Sequence, residues 1–240
     1  ALDSKPRAVF RRLRRALGFT MFEAIAAITT NSGFKEKFLG TGFLYHDKQH
    51  LITAKHVIIG AESGIQALFP YTKSIHPVTS LATHDELDIA ILRLGPNISN
   101  HKTELENKFF SQIVPSREIG EDIVSHGYPE DIDISNNGIP TFRTFKGNIQ
   151  RRFLRKNCSH SSNYKAYELS FQCPSGLSGA PVIRRNNQTE LVGLVTENIS
   201  VGKDLIKEED GYLYKGYISY GVALDLMTVT EWLTAAINSE

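Results

Sequence analysis

Two cysteines in 240 residues exclude a disulfide framework, and the spacing leaves a bridge between Cys158 and Cys173 open. No run of about 18 apolar residues occurs, so no transmembrane helix is expected. The opening residues also lack the apolar core of a signal peptide, although the chain starts at Ala1 and a removed targeting segment stays open. Few cysteines and no visible signal lean towards an intracellular setting. No group of His, Cys, Asp and Glu has metal-ligand spacing, and no glycine-rich loop is built to cradle phosphate. No metal and no cofactor are therefore expected. The net charge is only +1, so the chain as a whole is no polyanion binder, and nucleic acid is not an expected partner.

What is present is a large apolar fraction, 41%. A chain of this length buries roughly 70–75% of its unfolded surface. Residues 1–18 stand apart, with Lys5, Arg7, Arg11, Arg12, Arg14 and Arg15 set against Asp3. Phe10, Leu13 and Leu17 recur at helical spacing, with Pro6 near the start and Gly18 past the end. This predicts a basic amphipathic helix or arm. It would either dock its apolar stripe on the body or recruit an acidic partner, nucleic acid or an anionic membrane. From Met21 to about Leu94 short strands alternate with turns, and Pro96 to Pro115 is a polar connection. Strands resume from Ile123, with a polar excursion at Asp131 to Pro140. Arg151, Arg152, Arg155 and Lys156 read as a solvated basic face or loop. Ile199 to Tyr214 reads as an exposed charged hairpin. Leu226, Val229, Leu233 and Ile237 share one face of a closing helix over 225–238.

Three segments carry chemistry. In Gly176-Leu177-Ser178-Gly179-Ala180-Pro181 a serine lies between glycines, ahead of an apolar strand. Glycines flank a nucleophilic serine where backbone must crowd it and aim amide hydrogens at a developing negative charge. Alone, such a segment is ordinary turn material. The second segment, Leu51 to Ile58, places His56 just past the end of a hairpin strand. The third, Leu87-Asp88-Ile89-Ala90-Ile91-Leu92, sets a carboxylate at the mouth of an apolar strand. A half-buried charge there needs a partner, and an imidazole Nδ1–H suits it. The order His56, Asp88, Ser178 is one of the chain orders of a Ser-His-Asp triad. Ser178 would attack a carbonyl, and His56 would act as general base and then general acid. Asp88 would fix its tautomer, and the Gly176 and Ser178 amides would form an oxyanion hole. Asp85 and Glu86 rival Asp88, Ser175 rivals Ser178, and His126 is read as structural. Seven further histidines show how common the residue type is here.

Together these segments resemble the chymotrypsin-like serine peptidases: Thr53-Ala54-Lys55-His56, Asp88-Ile89-Ala90-Ile91 and the Ser178 segment, followed by Leu191-Val192-Gly193-Leu194-Val195. The resemblance spans roughly Phe22 to Trp232. It implies an all-β fold of two six-stranded antiparallel β-barrels with the active site between them, plus the N-terminal basic helix and the C-terminal helix. It divides the chain into 1–18 (helix or arm) and 19–240 (peptidase). Within the latter, the first barrel takes about 19–95, the connection about 96–118, the second barrel about 119–224 and the closing helix about 225–238. It implies a serine endopeptidase acting on protein or peptide substrates. The alternatives are a silent peptidase-like binding module and a peptidase recruited by its basic arm. A regulatory protein or a larger parent chain remains an open partner.

Two departures refine the resemblance. Leu177 stands where the digestive members carry an aspartate that pairs with a new N-terminus, so activation through a buried ammonium is not expected. With only two cysteines, the chain is closer to the HtrA-like bacterial branch, here without a PDZ domain. Ala180 replaces a family glycine. By family position, Gln172, Cys173, Thr196, Glu197, Asn198, Ser219 and Gly221 frame the substrate pocket. None is an aspartate at its base, which points to a small or medium uncharged side chain or equally to Gln. Glu197 either attracts a basic side chain or points away. Cys173 either lines the cleft or packs inside.

Overall fold

The computed structural model describes residues 21–31, 36–61, 64–99, 109–116, 118–130, 141–156, 163–209 and 212–239. The expected basic helix at 1–18, the excursion at 131–140 and Cys158 lie outside the described residues.

Apolar and β-branched segments too short for helices build the first half. These are β1 (Ile25–Asn31), β2 (Glu36–Leu44), β3 (His50–Thr53), β4 (Ile65–Phe69), β5 (Ser74–Thr83) and β6 (Ala90–Leu94). They close into an antiparallel barrel in the order β1-β2-β3-β6-β5-β4. Closure leaves no free edge, which an isolated apolar sheet would expose to aggregation. Phe43, Leu51, Ile52, Ala67, Phe69 and Ile91 are fully buried in this half. β3 is buried along its whole length, so it does not alternate: both of its faces are covered.

The second half uses β8 (Asp122–Gly127), β9 (Arg143–Lys156), β10 (Asn163–Leu169), β11 (Pro181–Arg184), β12 (Glu190–Glu209) and β13 (Tyr212–Asp225). The order β11-β8-β9-β10-β13-β12, with β12 pairing back to β11, is a second closed ring of six antiparallel strands. A two-residue strand in the connection, β7 (Gln112–Ile113), lies parallel on β12. Phe110 in the same connection bridges to Tyr45 and packs edge-on against Phe43, which ties the connection to the first barrel.

The closing segment starts one residue later than expected and in two parts. Asp225 caps a 3-10 turn, Leu226–Val229, by accepting from the Met227 amide at 3.0 Å, and the α-helix runs Thr230–Asn238. Leu226, Val229 and Leu233 are buried in the core that also holds the first barrel. The basic face expected at Arg151 to Lys156 is a paired stretch of β9, not a loop. Arg151 pairs with Glu168 at 2.7 Å, Arg152 donates to the Ser116 carbonyl at 2.8 Å, and Arg155 grips Glu197. Glu168 lies opposite Arg151 on the paired strand β10, whereas Ser116 and Glu197 come from the connection and from β12, which a charge run alone does not reveal.

Candidate active site

The turn that presents the serine packs against the first barrel. Gly176 and Gly179 both hold positive φ, +84° and +85°. A Cβ on Gly179 would lie 2.1 Å from the Thr41 carbonyl oxygen and 2.4 Å from the Thr53 hydroxyl. Only glycine allows the serine turn to sit this close to β2 and β3. Thr41 is the hub of this contact. Its amide donates to the Ser178 carbonyl at 2.9 Å and its hydroxyl donates to the Gly176 carbonyl at 2.9 Å. The same hydroxyl accepts from the Tyr128 amide at 3.0 Å. Thr53 donates back to the Thr41 carbonyl at 2.7 Å. A buried threonine between two glycines in Gly40-Thr41-Gly42 was the available signal for this role, but such a tripeptide reads equally as plain strand.

Beyond Gly179 the chain is fixed by Gly179 N to Val195 O at 2.8 Å and Val195 N to Ala180 O at 2.9 Å. Leu177 is fully buried, and its Cδ1 packs on Gly127. An apolar contact thus holds the position where an ion pair would have signalled zymogen control. Ala180 is fully buried, so its methyl is accommodated.

His56 follows β3 in a single helical turn, Lys55–Ile58. Val57 and Ile58 face inward, which leaves the His56 side chain half-exposed in the cleft. Asp88 ends a tight loop before β6 and clamps His56 twice. Its Oδ1 accepts the His56 backbone N–H at 2.9 Å, and its Oδ2 pairs with Nδ1 at 2.7 Å. This hydrogen bond is the main cause of a raised His56 pKa. Burial opposes it, and the charges of Asp88 and Glu197 add to it. The rival residues have other surroundings. Asp85 and Glu86 are exposed, and the Ser175 hydroxyl donates to Glu130 at 2.8 Å. The Ser178 hydroxyl, half-buried, donates a long 3.4 Å bond to the Thr196 carbonyl. His126 is sealed between Phe22 and Phe142, with Nδ1 bonded to Thr144 at 2.9 Å. Burial, seconded by Lys146, pushes its pKa down to about 4.

Four of the expected pocket residues come together. The Cys173 amide donates to Asn198 Oδ1 at 2.9 Å, and Asn198 Nδ2 donates to Ser219 at 2.6 Å. Gly221 pairs with Asn198 in the sheet, and a Cβ there would meet Cys173 Sγ at 2.3 Å. Cys173 is a free, buried thiol in the second core, where burial pushes its pKa up to about 12. Its side chain packs in that core, while its backbone amide holds Asn198. Thr196 is buried, with its hydroxyl on the Val222 carbonyl at 3.3 Å, and Gln172 is exposed. Glu197 is held by Arg155 through two 2.8 Å bonds, so its charge is already matched. The sequence reading missed a cleft of about 660 Å³ that His56 itself lines, together with Lys37, Phe38, Leu39, Ile59 and Glu130 among others. Its residues come from β1, β2, the His56 turn with the residues after it, and the segment after β8, so no local pattern announces it.

This double barrel agrees with what known proteins show. The model of the trypsin-like peptidase domain matches residues 40–194, more than half of the chain. The chain belongs to the trypsin-like peptidase family. It is a serine endopeptidase. Among solved structures, the Rv3671c protease from M. tuberculosis in its active form superposes with TM-score 0.63 at 18% identity, over 96% of this chain and 86% of that one. A serine endoprotease from Yersinia pestis gives 0.58 at 17%, over 90% and 63%. The HtrA-type protease AlgW with a decapeptide gives 0.59 at 16%, over 90% and 65%. At these identities the likeness is one of fold. No curated protein sequence matches the chain. Among the described residues of this trypsin-like peptidase, no helix is long and apolar enough to cross a membrane, and no His, Cys, Asp and Glu group could hold a metal ion.

Proposed function

We propose that this peptidase cleaves protein substrates through an acyl-enzyme formed on Ser178, with His56 as base and acid and Asp88 as its orienting partner. The observation that carries the reading is the double clamp of Asp88 on His56, 2.9 Å to the backbone amide and 2.7 Å to Nδ1. With the Nδ1 proton held there, the lone pair of Nε2 is left for the serine proton. The hydroxyl of Ser178 reaches that lone pair by turning away from the Thr196 carbonyl, since catalytic hydrogen bonds commonly tighten only with substrate bound. Transfer of the proton to His56 accompanies attack on the scissile carbonyl. The imidazolium then returns the proton to the leaving amine, and water attacks the acyl-enzyme by the same route.

The carbonyl oxygen, as it gains charge, would be met by the amides of Gly176 and Ser178. The support is a pinned peptide plane. The Ser175 carbonyl accepts from Glu130 N at 2.6 Å, and in a trans peptide the Gly176 N–H points the opposite way. The Leu177 amide closes the turn on Pro174 at 3.0 Å. The pocket framed by Cys173, Asn198, Ser219 and Gly221 offers amide and hydroxyl groups and no free acid, which favours an uncharged side chain, Gln included. The test is hydrolysis of an unfolded protein substrate by the wild type and by Ser178→Ala. Loss of several powers of ten with folding intact supports the reading. Retained activity defeats it.

A further inference from the structure

We propose that Lys55 and His84 are positioning residues that hold the Asp88 loop against His56. The inference rests on the triad reading above.

The loop from His84 to Ile89 has little core to order it. Its residues before Leu87 are exposed or half-exposed, and it is closed by His84 N to Ile89 O at 3.1 Å and by a tight turn at Asp88, Ile89 N to Leu87 O at 2.9 Å. Two side chains fix it, one from outside and one from within. Lys55 is the residue before His56 on the same helical turn. Its Nζ reaches over the loop and donates to the His84 carbonyl at 2.7 Å and to the Asp85 carbonyl at 3.3 Å. An ammonium on backbone carbonyls makes a charge-assisted bond, stronger than a neutral one. The turn that carries the base thereby grips the loop that carries its carboxylate.

His84 organises the same loop from within. Its Nδ1 accepts the amides of both Glu86 and Leu87 at 3.2 Å, in the manner of an Asx turn. Its ring centroid lies 5.1 Å from that of Trp232 of the closing helix, the two rings tilted. Accepting both amides needs a lone pair on Nδ1, and so a neutral ring. Burial lowers the His84 pKa against the pull of Asp85 and Glu86, with Lys55 adding to the lowering, so the ring is neutral near pH 7. Asp85, Glu86 and Lys55 are the charged groups around it. A lysine on a surface turn with no such task would be free to point into water.

The test compares Lys55→Met, Lys55→Arg, His84→Leu and His84→Asn, with near-UV CD as a folding check. The readouts are kcat, KM and the acid limb of kcat/KM. Lys55→Met and His84→Leu should lower kcat about tenfold with KM little changed, because the His56–Asp88 contact matters most when the imidazolium forms. The acid limb, set by His56, should move to lower pH as its carboxylate loosens. Removing the Lys55 charge without loosening the loop would move that limb to higher pH, so the direction separates the two causes. Arginine at 55 and asparagine at 84 keep the donor and the acceptor, and should restore both kcat and the limb. Wild-type kcat in Lys55→Met and His84→Leu overturns the proposal. So does an acid limb that stays put or rises, or a His84→Asn no better than His84→Leu. Ser178→Ala run beside them tests the underlying reading separately, since activity there would defeat the triad whatever Lys55 does.

Discussion

Replacing Asp88 by Asn is the sharpest perturbation of the clamp on His56. The carboxylate offers two oxygens, one to the backbone N–H at 2.9 Å and one to Nδ1 at 2.7 Å. An amide offers one oxygen and one NH₂. If the oxygen keeps the backbone, the NH₂ faces Nδ1, and the ring must carry its proton on Nε2, where it cannot accept from Ser178. Loss of the right tautomer in a triad costs about 10⁴ in kcat, equivalent to about 5 kcal/mol of transition-state stabilisation. The substitution also removes the main cause of the raised His56 pKa, while burial, which lowers it, remains. The acid limb of kcat/KM should therefore move to lower pH as the rate collapses. A peptide hydrolysis assay across the pH range reads both effects. A variant within about tenfold of wild type, or one whose acid limb rises, refutes the reasoning.

Gly179→Ala should cost at least about 3 kcal/mol and dislodge the serine turn, because φ is +85° and the new methyl meets the Thr41 backbone oxygen at 2.1 Å; urea unfolding measures it, and a near-neutral value would contradict the tight seam between the barrels. His126 has a pKa near 4 in the fold against 6.5 unfolded, so the unfolded chain takes up a proton that the folded chain refuses. Stability from this group is present above about pH 6.5 and is lost as pH falls towards 4, by about 3 kcal/mol. His126→Phe should flatten that part of the stability–pH curve. Cys173, buried and with its pKa pushed up to about 12, should resist alkylation at neutral pH in the folded protein and react on unfolding, read by mass in a Cys158→Ser background.

The three residues of the proposed triad stood out in the sequence because each sits in a local pattern that the chemistry requires: a glycine-bracketed serine, a histidine at a strand's end, a carboxylate at a strand's mouth. Chain order then linked them. The second barrel was expected from the family resemblance and not from any local pattern, since the pairing of β12 with β11 depends on register over long sequence separation. Thr41 escaped notice for the same reason, because its partners Gly176, Ser178 and Tyr128 are far along the chain. Arg155 and Glu197 read as a surface charge and an open question, and only the strand geometry turned them into one bidentate pair. Cys173 could not be assigned to cleft or core from sequence, because that choice rests on how closely Gly221 approaches it.

The central claim is that Ser178 is a nucleophile activated by the Asp88-clamped His56. The most direct measurement is peptide-mapped mass spectrometry after treatment with a fluorophosphonate. The account predicts a single covalent adduct on Ser178, formed faster as His56 loses its proton and nearly abolished in His56→Ala. An adduct on another residue, or labelling of Ser178 at an undiminished rate in His56→Ala, would contradict it.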